Sequence, residues 1–194
     1  MNDEVMRTPA ILDAIHQDTR HVGFNMASEP KTGALLRALA ASKPAGRILE
    51  LGTGTGVGTA WLLAGMDADS RLDSIENDPK AFEIARRHLG SDPRVTFRLA
   101  DGADFLANLQ PEQFDLIFAD TWPGKFTHLD LALSAVRVGG FYLVDDLMPQ
   151  SNWPEGHAQK IAPLIVDLER RRGFVALRLA WASGLLVLVR TTSN

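Results

Sequence analysis

The sequence predicts an α/β three-layer sandwich with a seven-stranded, mostly parallel sheet that ends in a C-terminal antiparallel hairpin. Short runs of β-branched and other apolar residues alternate with amphipathic stretches of helical period, which is typical of parallel strands covered by helices on both faces. Two later apolar runs are separated by Ala182-Ser183-Gly184, a spacing that favours a hairpin turn. At 194 residues the chain fits one domain, spanning 1–194, and is too short for two.

Each element follows from this alternation. The five parallel strands are predicted at residues 47–51, 71–76, 94–99, 115–120 and 140–145, and the hairpin strands at 174–180 and 185–190. Helices are predicted between them at 57–64, 79–89, 102–109 and 127–136. Two earlier helices, at 4–20 and 28–41, lie in an N-terminal region of residues 1–43 that we expect to cover the core. They fit two interpretations, a lid or homodimer arm and a plain cover for the sheet edge.

Composition and charge exclude several classes of function. The hydrophobic fraction of 45% and the charged fraction of 23% are ordinary for a globular protein. A net charge of -4 disfavours a sequence-independent nucleic-acid partner, which needs a basic face. The basic run Arg170-Arg171-Arg172 is interpreted as the end of a helix, where cations complement the helix dipole. The absence of cysteine excludes disulfides, thiolate metal sites and a cysteine nucleophile.

No targeting or membrane segment is recognisable in the sequence. Residues 1–18 mix acidic with apolar residues and lack the uninterrupted apolar run of a signal peptide. No stretch approaches the roughly 20 apolar residues that a membrane span needs. We therefore expect a cytoplasmic protein with no membrane partner.

Carboxylates follow four of the predicted parallel strands. In open α/β sheets, ligands bind beyond the carboxyl ends of the strands, so these side chains are expected to share one rim of the sheet. Asp is also a common turn and N-cap residue, and any one of them alone has that simpler explanation. The four residues are Glu76, Asp101, Asp120 and Asp145.

The glycine-rich turn after the first strand predicts a ligand site. In Glu50-x-Gly52-x-Gly54-x-Gly56 the glycines permit tight turning and the close approach of a ligand to the main chain. The spacing G-x-G-x-x-G of a dinucleotide site fails, because Val57 or Thr59 stands at the third glycine position. A P-loop is excluded because no lysine lies between residues 43 and 80.

This turn resembles the first motif of the class I methyltransferases that use S-adenosylmethionine (SAM), which have a Rossmann-like fold. The resemblance implies that the turn lies against the methionine part of SAM and that Glu76, at the end of the second strand, bonds the ribose hydroxyls. It also places Asp101-Gly102 near the adenine. The cofactor-binding residues that it implies are Met26, Ser28, Glu50, Gly52, Thr53, Gly54, Gly56, Glu76, Asn77, Asp101, Gly102 and Asp120.

Within class I, residues 26–190 resemble the catechol-type, cation-dependent O-methyltransferases. Met26 and Ser28 match a loop that closes over the cofactor there. The resemblance implies that Asp120, Asp145 and Asp146 hold a divalent cation, Mg²⁺, which favours the deprotonated acceptor hydroxyl. Two residues depart from the family: Asp146 replaces an Asn ligand, and Pro123 stands where the family has its catalytic lysine.

Three residues are candidates for catalysis: Asp120, Lys125 and His157. Lys125 lies two positions after the missing lysine, and its alternative interpretation is a solvated surface lysine. His157 ends the segment 148–157, which is expected to overhang the acceptor, and is a candidate general base or a structural histidine. Trp153, in the same segment, is expected to stack on a flat substrate.

The sequence thus predicts SAM-dependent methylation of a hydroxyl on a small acceptor, which can be aromatic. Two alternatives remain open at this point. One is a metal-independent methyltransferase acting on nitrogen or RNA, and the other is a non-catalytic module that binds SAM.

Overall fold

The computed structural model describes residues 7–192 and confirms the α/β sandwich. The strands are β1 (Arg47–Leu51), β2 (Arg71–Glu76), β3 (Val95–Leu99), β4 (Phe114–Ala119), β5 (Val136–Val144), β6 (Phe174–Leu179) and β7 (Leu185–Arg190). The helices are α1 (Leu12–His21), α2 (Pro30–Ala41), α3 (Val57–Gly65), α4 (Pro79–Leu89), α5 (Gly102–Ala107), α6 (Leu129–Ser134) and α7 (His157–Arg170).

One sheet of seven strands runs in the order β3-β2-β1-β4-β5-β7-β6. The first five strands are parallel, and β7 pairs antiparallel with both β5 and β6, which confirms the predicted hairpin. The chain order reverses direction between β1 and β4. That reversal leaves a crevice beyond the carboxyl ends of these two strands, where ligands of such sheets bind.

Two apolar cores, one on each face of the sheet, complete the three layers. Helices α5, α6 and α7 cover one face, where Ile117 and Tyr142 are fully buried. Helices α1 to α4 cover the other face, where Trp61 packs among residues of β1, β4 and β5. The parallel strands are apolar on both sides because both of their faces are covered.

The N-terminal helices begin later than predicted. The predicted first helix over 4–20 lies partly outside the described residues, and α1 begins at Leu12 after a turn in which Leu12 N–H donates to Pro9. Helix α2 begins at Pro30 rather than at Ser28, because a residue before proline avoids helical dihedrals and Glu29 is extended. Helix α2 packs against α3 and β4, and α1 packs against α3 and α4. The choice between a lid or homodimer arm and a plain cover stays a prediction.

Three further elements, α5, α6 and β5, have bounds that differ from the prediction. The predicted helix over 127–136 is confined to α6, because Val136 already belongs to β5. Strand β5 is correspondingly longer than predicted, and the register shift opposite Phe114 and Leu116 absorbs the extra residues. Helix α5 ends at Ala107 instead of residue 109.

The basic run lies at the end of α7, as predicted. Arg171 there pairs with Asp130 and with Asp167, so part of its charge is balanced on the protein's own surface. None of the helices within residues 7–192 combines the length and apolar character that a membrane crossing requires.

Gly33, at the contact between α2 and α3, is predicted to be sensitive to substitution. A Cβ at Gly33 would overlap the indole ring of Trp61, which is itself buried. Alanine raises helix propensity by about 1 kcal/mol, but overpacking costs roughly 1 to 3 kcal/mol. We expect Gly33→Ala to lower the free energy of unfolding, measured by urea denaturation. The exposed Ala38→Ser on the same helix should change it by less than about 0.5 kcal/mol, and a more stable Gly33→Ala would contradict this packing.

Candidate active site

The glycine turn lies directly beyond β1. Gly52, Gly54 and Gly56 all have positive φ, at 97°, 53° and 93°, a region that side chains disfavour. A Cβ on Gly52 would come within 2.8 Å of the Asp120 carbonyl oxygen. Glycine is therefore required at this position for the turn to pass close to the chain after β4.

Glu50 supports the turn from the protein interior. Its Oε2 accepts hydrogen bonds from Thr59 and Ser74, both at 2.5 Å, whereas its buried Oε1 has no partner. A Cβ on Gly58 would lie 2.6 Å from that Oε1. Burial, opposed by these two hydroxyl bonds, raises the pKa of Glu50 from 4.5 to about 7.

Glu76 fastens the glycine turn to the end of β2. Its Oε2 accepts from Gly54 N–H at 2.7 Å, and its Oε1 accepts from the amides of Asn77 and Asp78, both at 2.9 Å. The carboxylate is half-buried and remains in contact with the open space above the turn. A carboxylate in this position is able to accept from a bound diol as well as hold the turn.

A cavity of about 280 Å³ extends from Glu76 and the glycine turn to the segment that precedes α7. Its volume is close to the lower end of the range for small-molecule pockets. It brings together eleven of the residues predicted from sequence: Met26, Ser28, Gly52, Thr53, Gly54, Glu76, Asn77, Asp120, Lys125, Asp146 and His157.

Stacked rings form the far end of the cavity. The rings of Trp153 and His157 stack with centroids 4.6 Å apart, and Phe126 packs edge-on against His157 at 5.0 Å. His157 begins α7 and is 4% exposed, so the predicted loop turns into the helix at this residue. Burial and the charge of Lys125 lower its pKa below the ordinary 6.5.

Two buried nitrogen atoms in this stack have no hydrogen-bond partner, Trp153 Nε1 and His157 Nδ1. His157 Nε2 lies 3.2 Å from the main-chain carbonyl of Asp146. Since a carbonyl only accepts, this bond assigns the imidazole proton to Nε2 and leaves Nδ1 as an acceptor. The stack therefore contains one unsatisfied donor and one unsatisfied acceptor.

Lys125 is not the solvated lysine of the alternative interpretation, because it is only 2% exposed and lines the cavity. It follows Gly124, which has a φ of +88° and whose carbonyl accepts the Tyr142 hydroxyl. A tight turn, in which Lys125 N–H donates to Trp122 at 3.1 Å, folds it inward. Burial lowers its pKa, and Asp120 opposes that shift most among the neighbouring carboxylates.

Three carboxylates lie beyond the ends of β4 and β5, around a second, polar cavity of about 220 Å³. Burial and the neighbouring acids raise the pKa of Asp120 well above its ordinary value. Asp145 is 2% exposed, and burial together with Asp146 raises its pKa to about 6. Asp146 has a left-handed backbone with φ of +59°.

These three residues do not fit a ready Mg²⁺ site. Asp145 Oδ1 already accepts from the Ser183 hydroxyl and from Asp146 N–H. In the part of the chain that the structure describes, no group of three or more His, Cys, Asp or Glu side chains is arranged to hold a metal ion. Mg²⁺ keeps several water ligands and needs only one or two carboxylates, but these side chains are not grouped around one point, which speaks against a preformed site.

Five predicted site residues lie outside the main cavity. Asp145 lines the polar cavity, and Glu50 lies beneath the turn. Gly56 packs against Ala85 of α4 instead of facing the opening. Asp101 is exposed and caps α5 by accepting from Ala103 N–H, while Gly102 lines a separate small hollow beside Glu76. The predicted roles of these five residues in binding stay predictions.

Several contributors were missed in the sequence. Phe24 lies against Gly54, and the Asn152 side chain donates to the Asn25 carbonyl at 2.6 Å, so two distant segments meet above the cavity. Ser74 and Ser183 hold Glu50 and Asp145 from other strands or turns. These contacts join residues that are far apart in the sequence, so no local sequence signal indicates them.

Comparison with known proteins decides the family. A sequence profile described as a methyltransferase domain matches residues 49–147, which contain the glycine turn, Glu76 and the carboxylates after β4 and β5. The chain belongs to this methyltransferase domain family. The resemblance stated from the sequence is thereby confirmed.

Curated relatives of this methyltransferase domain are provisionally named as O-methyltransferases. A provisionally named O-methyltransferase of Mycolicibacterium vanbaalenii is 35% identical over 141 residues, which are 70% of this chain and 62% of that protein. The chain thus spans less than two thirds of the length of the first curated relatives it matches.

Solved structures agree on the fold. That of a provisionally named O-methyltransferase from Klebsiella pneumoniae has a TM-score of 0.83 at 25% identity, covering 97% of this chain and 93% of its own. The O-methyltransferase TomG of tomaymycin synthesis from Streptomyces achromogenes, solved with SAM, has a TM-score of 0.81 at 24% identity, covering 96% and 92%.

The buried carboxylate of Glu50 predicts a pH-dependent stability. Its pKa is raised from 4.5 to about 7 in the folded state because burial of the charged carboxylate is unfavourable. This destabilisation of the fold is absent below pH 4.5 and complete above about pH 7. We expect ligand-free Glu50→Gln to be more stable than wild type at about pH 8, by up to roughly 3 kcal/mol. The difference should shrink toward about pH 5 in urea titrations. The exposed Glu155→Gln is the control, and a difference that does not vary with pH would refute the assignment.

Proposed function

We propose that this methyltransferase domain is a SAM-dependent O-methyltransferase acting on a hydroxyl of a small, flat acceptor. The observation that carries the proposal is the single cavity that joins the glycine turn and Glu76 to Lys125, Trp153 and His157. One end has the groups expected for a nucleoside cofactor, and the other has groups suited to a hydroxylated ring. Binding at both ends would place two reactants side by side.

The cofactor end fits SAM. The turn presents bare main chain, and the half-buried Glu76 carboxylate faces the same space from β2. The Glu50 carboxyl lies beneath Gly58, and because its pKa is about 7 it carries negative charge next to the turn above that pH, which suits a cationic ligand. The relative TomG, solved with SAM, supports this choice of cofactor.

The acceptor end fits a hydroxyl. A hydroxyl both donates and accepts, which matches the unsatisfied His157 Nδ1 and Trp153 Nε1, whereas an aliphatic amine is mostly protonated near neutral pH and then only donates. Buried polar atoms without partners cost about 1 to 3 kcal/mol each, so a ligand that reaches them gains affinity. Trp153 also offers an aromatic surface on which a flat ring can stack.

The chain's residues divide the chemistry between them. SAM, when bound, supplies an activated methyl group on a sulfonium. Trp153 and the turn orient the acceptor oxygen toward that methyl group, and most of the rate gain comes from this positioning. His157 Nδ1 takes the hydroxyl proton, while the Asp146 carbonyl keeps the other ring nitrogen protonated and the ring oriented.

The predictions about partners, localisation and metal stand as follows in this proposal. The partner is a small molecule, and the prediction of a cytoplasmic protein without a nucleic-acid partner stays a prediction, as does the homodimer. Mg²⁺ is not part of the proposed mechanism, because the three carboxylates do not fit it.

Glu76 provides the first test. We expect Glu76→Ala to weaken binding of S-adenosylhomocysteine at least about tenfold, because charge-assisted bonds contribute roughly 1.5 to 3 kcal/mol each. Isothermal titration calorimetry measures this, with circular dichroism to verify folding. Asp73→Ala, on the same strand but paired with Arg98 away from the cavity, should bind like wild type. Retained affinity in Glu76→Ala would remove Glu76 from the cofactor site.

His157 provides the second test. Gln places an amide near the Nε2 position, so His157→Gln keeps the donor to Asp146 and loses the free base. We expect kcat to fall about 10² to 10⁴-fold with unchanged affinity for S-adenosylhomocysteine. Equal losses of kcat and of cofactor affinity would instead indicate a structural role.

A substrate panel separates the alternatives. Methyl transfer from radiolabelled SAM should occur with phenols or catechols and not with matched amines or RNA. Cofactor binding without transfer to any compound would favour a non-catalytic SAM-binding module, and preferential labelling of amines or RNA would favour the other alternative.

A further inference from the structure

We propose that the ammonium group of Lys125 takes the place of the divalent cation at this acceptor site, so that the site works without a bound metal. The inference rests on the proposed function, since it concerns how the same cleft treats the acceptor oxygen. It departs from the expectation raised by the resemblance to cation-dependent enzymes.

The first argument is the position of the charge. Within residues 7–192, Lys125 is the only lysine or arginine that lines the cavity, and it is 2% exposed. Asp120 and Asp146 line the same cavity, and together with Asp145 they act electrostatically on Lys125. The Lys125 side chain is thus close enough to all three carboxylates to interact with them electrostatically.

The second argument is that the fold fixes this position. A Cβ on Gly124 would come within 2.6 Å of Leu51 Cδ1, so only glycine allows the loop to approach β1 this closely. The Tyr142 hydroxyl, from β5, bonds the Gly124 carbonyl, and Phe126 N–H donates to Trp122 at 2.8 Å. The loop after β4 is therefore tightly folded, which brings a lysine inward although Pro123 stands at the expected lysine position.

The third argument is that some of the carboxylate oxygens already accept hydrogen bonds from the protein. The Ser183 hydroxyl and Asp146 N–H use Asp145 Oδ1, and the Ser28 hydroxyl lies 3.4 Å from Asp120 Oδ2. Mg²⁺ holds each carboxylate oxygen at about 2.0 to 2.1 Å, whereas an ammonium is a compact charge that acts over longer and more varied distances. The arrangement suits the lysine better than the metal.

The chemical consequence is a division of roles between two residues. His157 Nδ1 receives the proton of the acceptor hydroxyl as the oxygen forms its new bond to the methyl carbon and the bond between that carbon and the cofactor sulfur breaks. Lys125 donates hydrogen bonds to the same oxygen and stabilises its negative charge during the transfer. The products are the methyl ether, the neutral thioether and protonated His157, so charge and atoms balance.

Titration with Mn²⁺, followed by the electron paramagnetic resonance of the free ion, tests the proposal on wild type with and without S-adenosylhomocysteine. We expect no stoichiometric binding at millimolar Mn²⁺, and turnover unchanged by a chelator. One Mn²⁺ bound per chain, or chelator-sensitive turnover restored by Mg²⁺, would overturn the proposal. This metal titration does not require the enzyme to be active.

Variants test the lysine itself. We expect Lys125→Met to lower kcat about 10² to 10³-fold with unchanged affinity for S-adenosylhomocysteine, and Lys125→Arg to retain more activity than Lys125→Met. Lys160→Met is the matched control, because Lys160 lies over Trp122 at 5.2 Å but outside the cavity, and should leave kcat unchanged. Full activity in Lys125→Met would overturn the role.

If S-adenosylhomocysteine does not bind wild type at all, the proposed function fails, while the Mn²⁺ result still decides the metal question.

Discussion

The close approach of the chain after β1 to the chain after β4 is the constraint on which the rest of the site depends. Gly52 sits where a Cβ would press on the Asp120 carbonyl, and Glu76 ties the same turn to β2 through the Gly54 amide. Three neighbouring strands are thereby joined at one point of the sheet. The cavity opens there because the strand order reverses between β1 and β4, leaving their ends uncovered by a crossover.

Much of this arrangement could be predicted from the sequence, because it depends on local signals. Strands that are apolar on both faces, Pro79 after Asp78 and the glycines of the turn each reflect a constraint within a few residues. The prediction that the carboxylates share one rim followed from the rule that ligands bind beyond the carboxyl ends of parallel strands. The predicted elements differ from the structure mainly at their ends. Val136, for example, was predicted to end a helix but lies in β5, because pairing across the sheet outweighs local helix preference.

Contacts between distant segments could not be predicted. Nothing near residue 125 indicates that Tyr142 bonds the preceding carbonyl and that the lysine turns inward. Likewise, no pattern shows that His157 opens a helix and stacks on Trp153, or that Ser183 occupies an oxygen of Asp145. The family resemblance supplied a set of metal ligands by position, but a position does not report which oxygen atoms are already engaged.

The roof of the cavity has a consequence for exchange of ligands. Two segments far apart in sequence meet above it through one exposed bond, from the Asn152 amide to the Asn25 carbonyl. A single neutral bond of this kind contributes only about 0.5 to 1.5 kcal/mol, so separating the segments costs little compared with unfolding the domain. Exchange of ligands on this side of the cavity can therefore be rapid without any loosening of the sheet below.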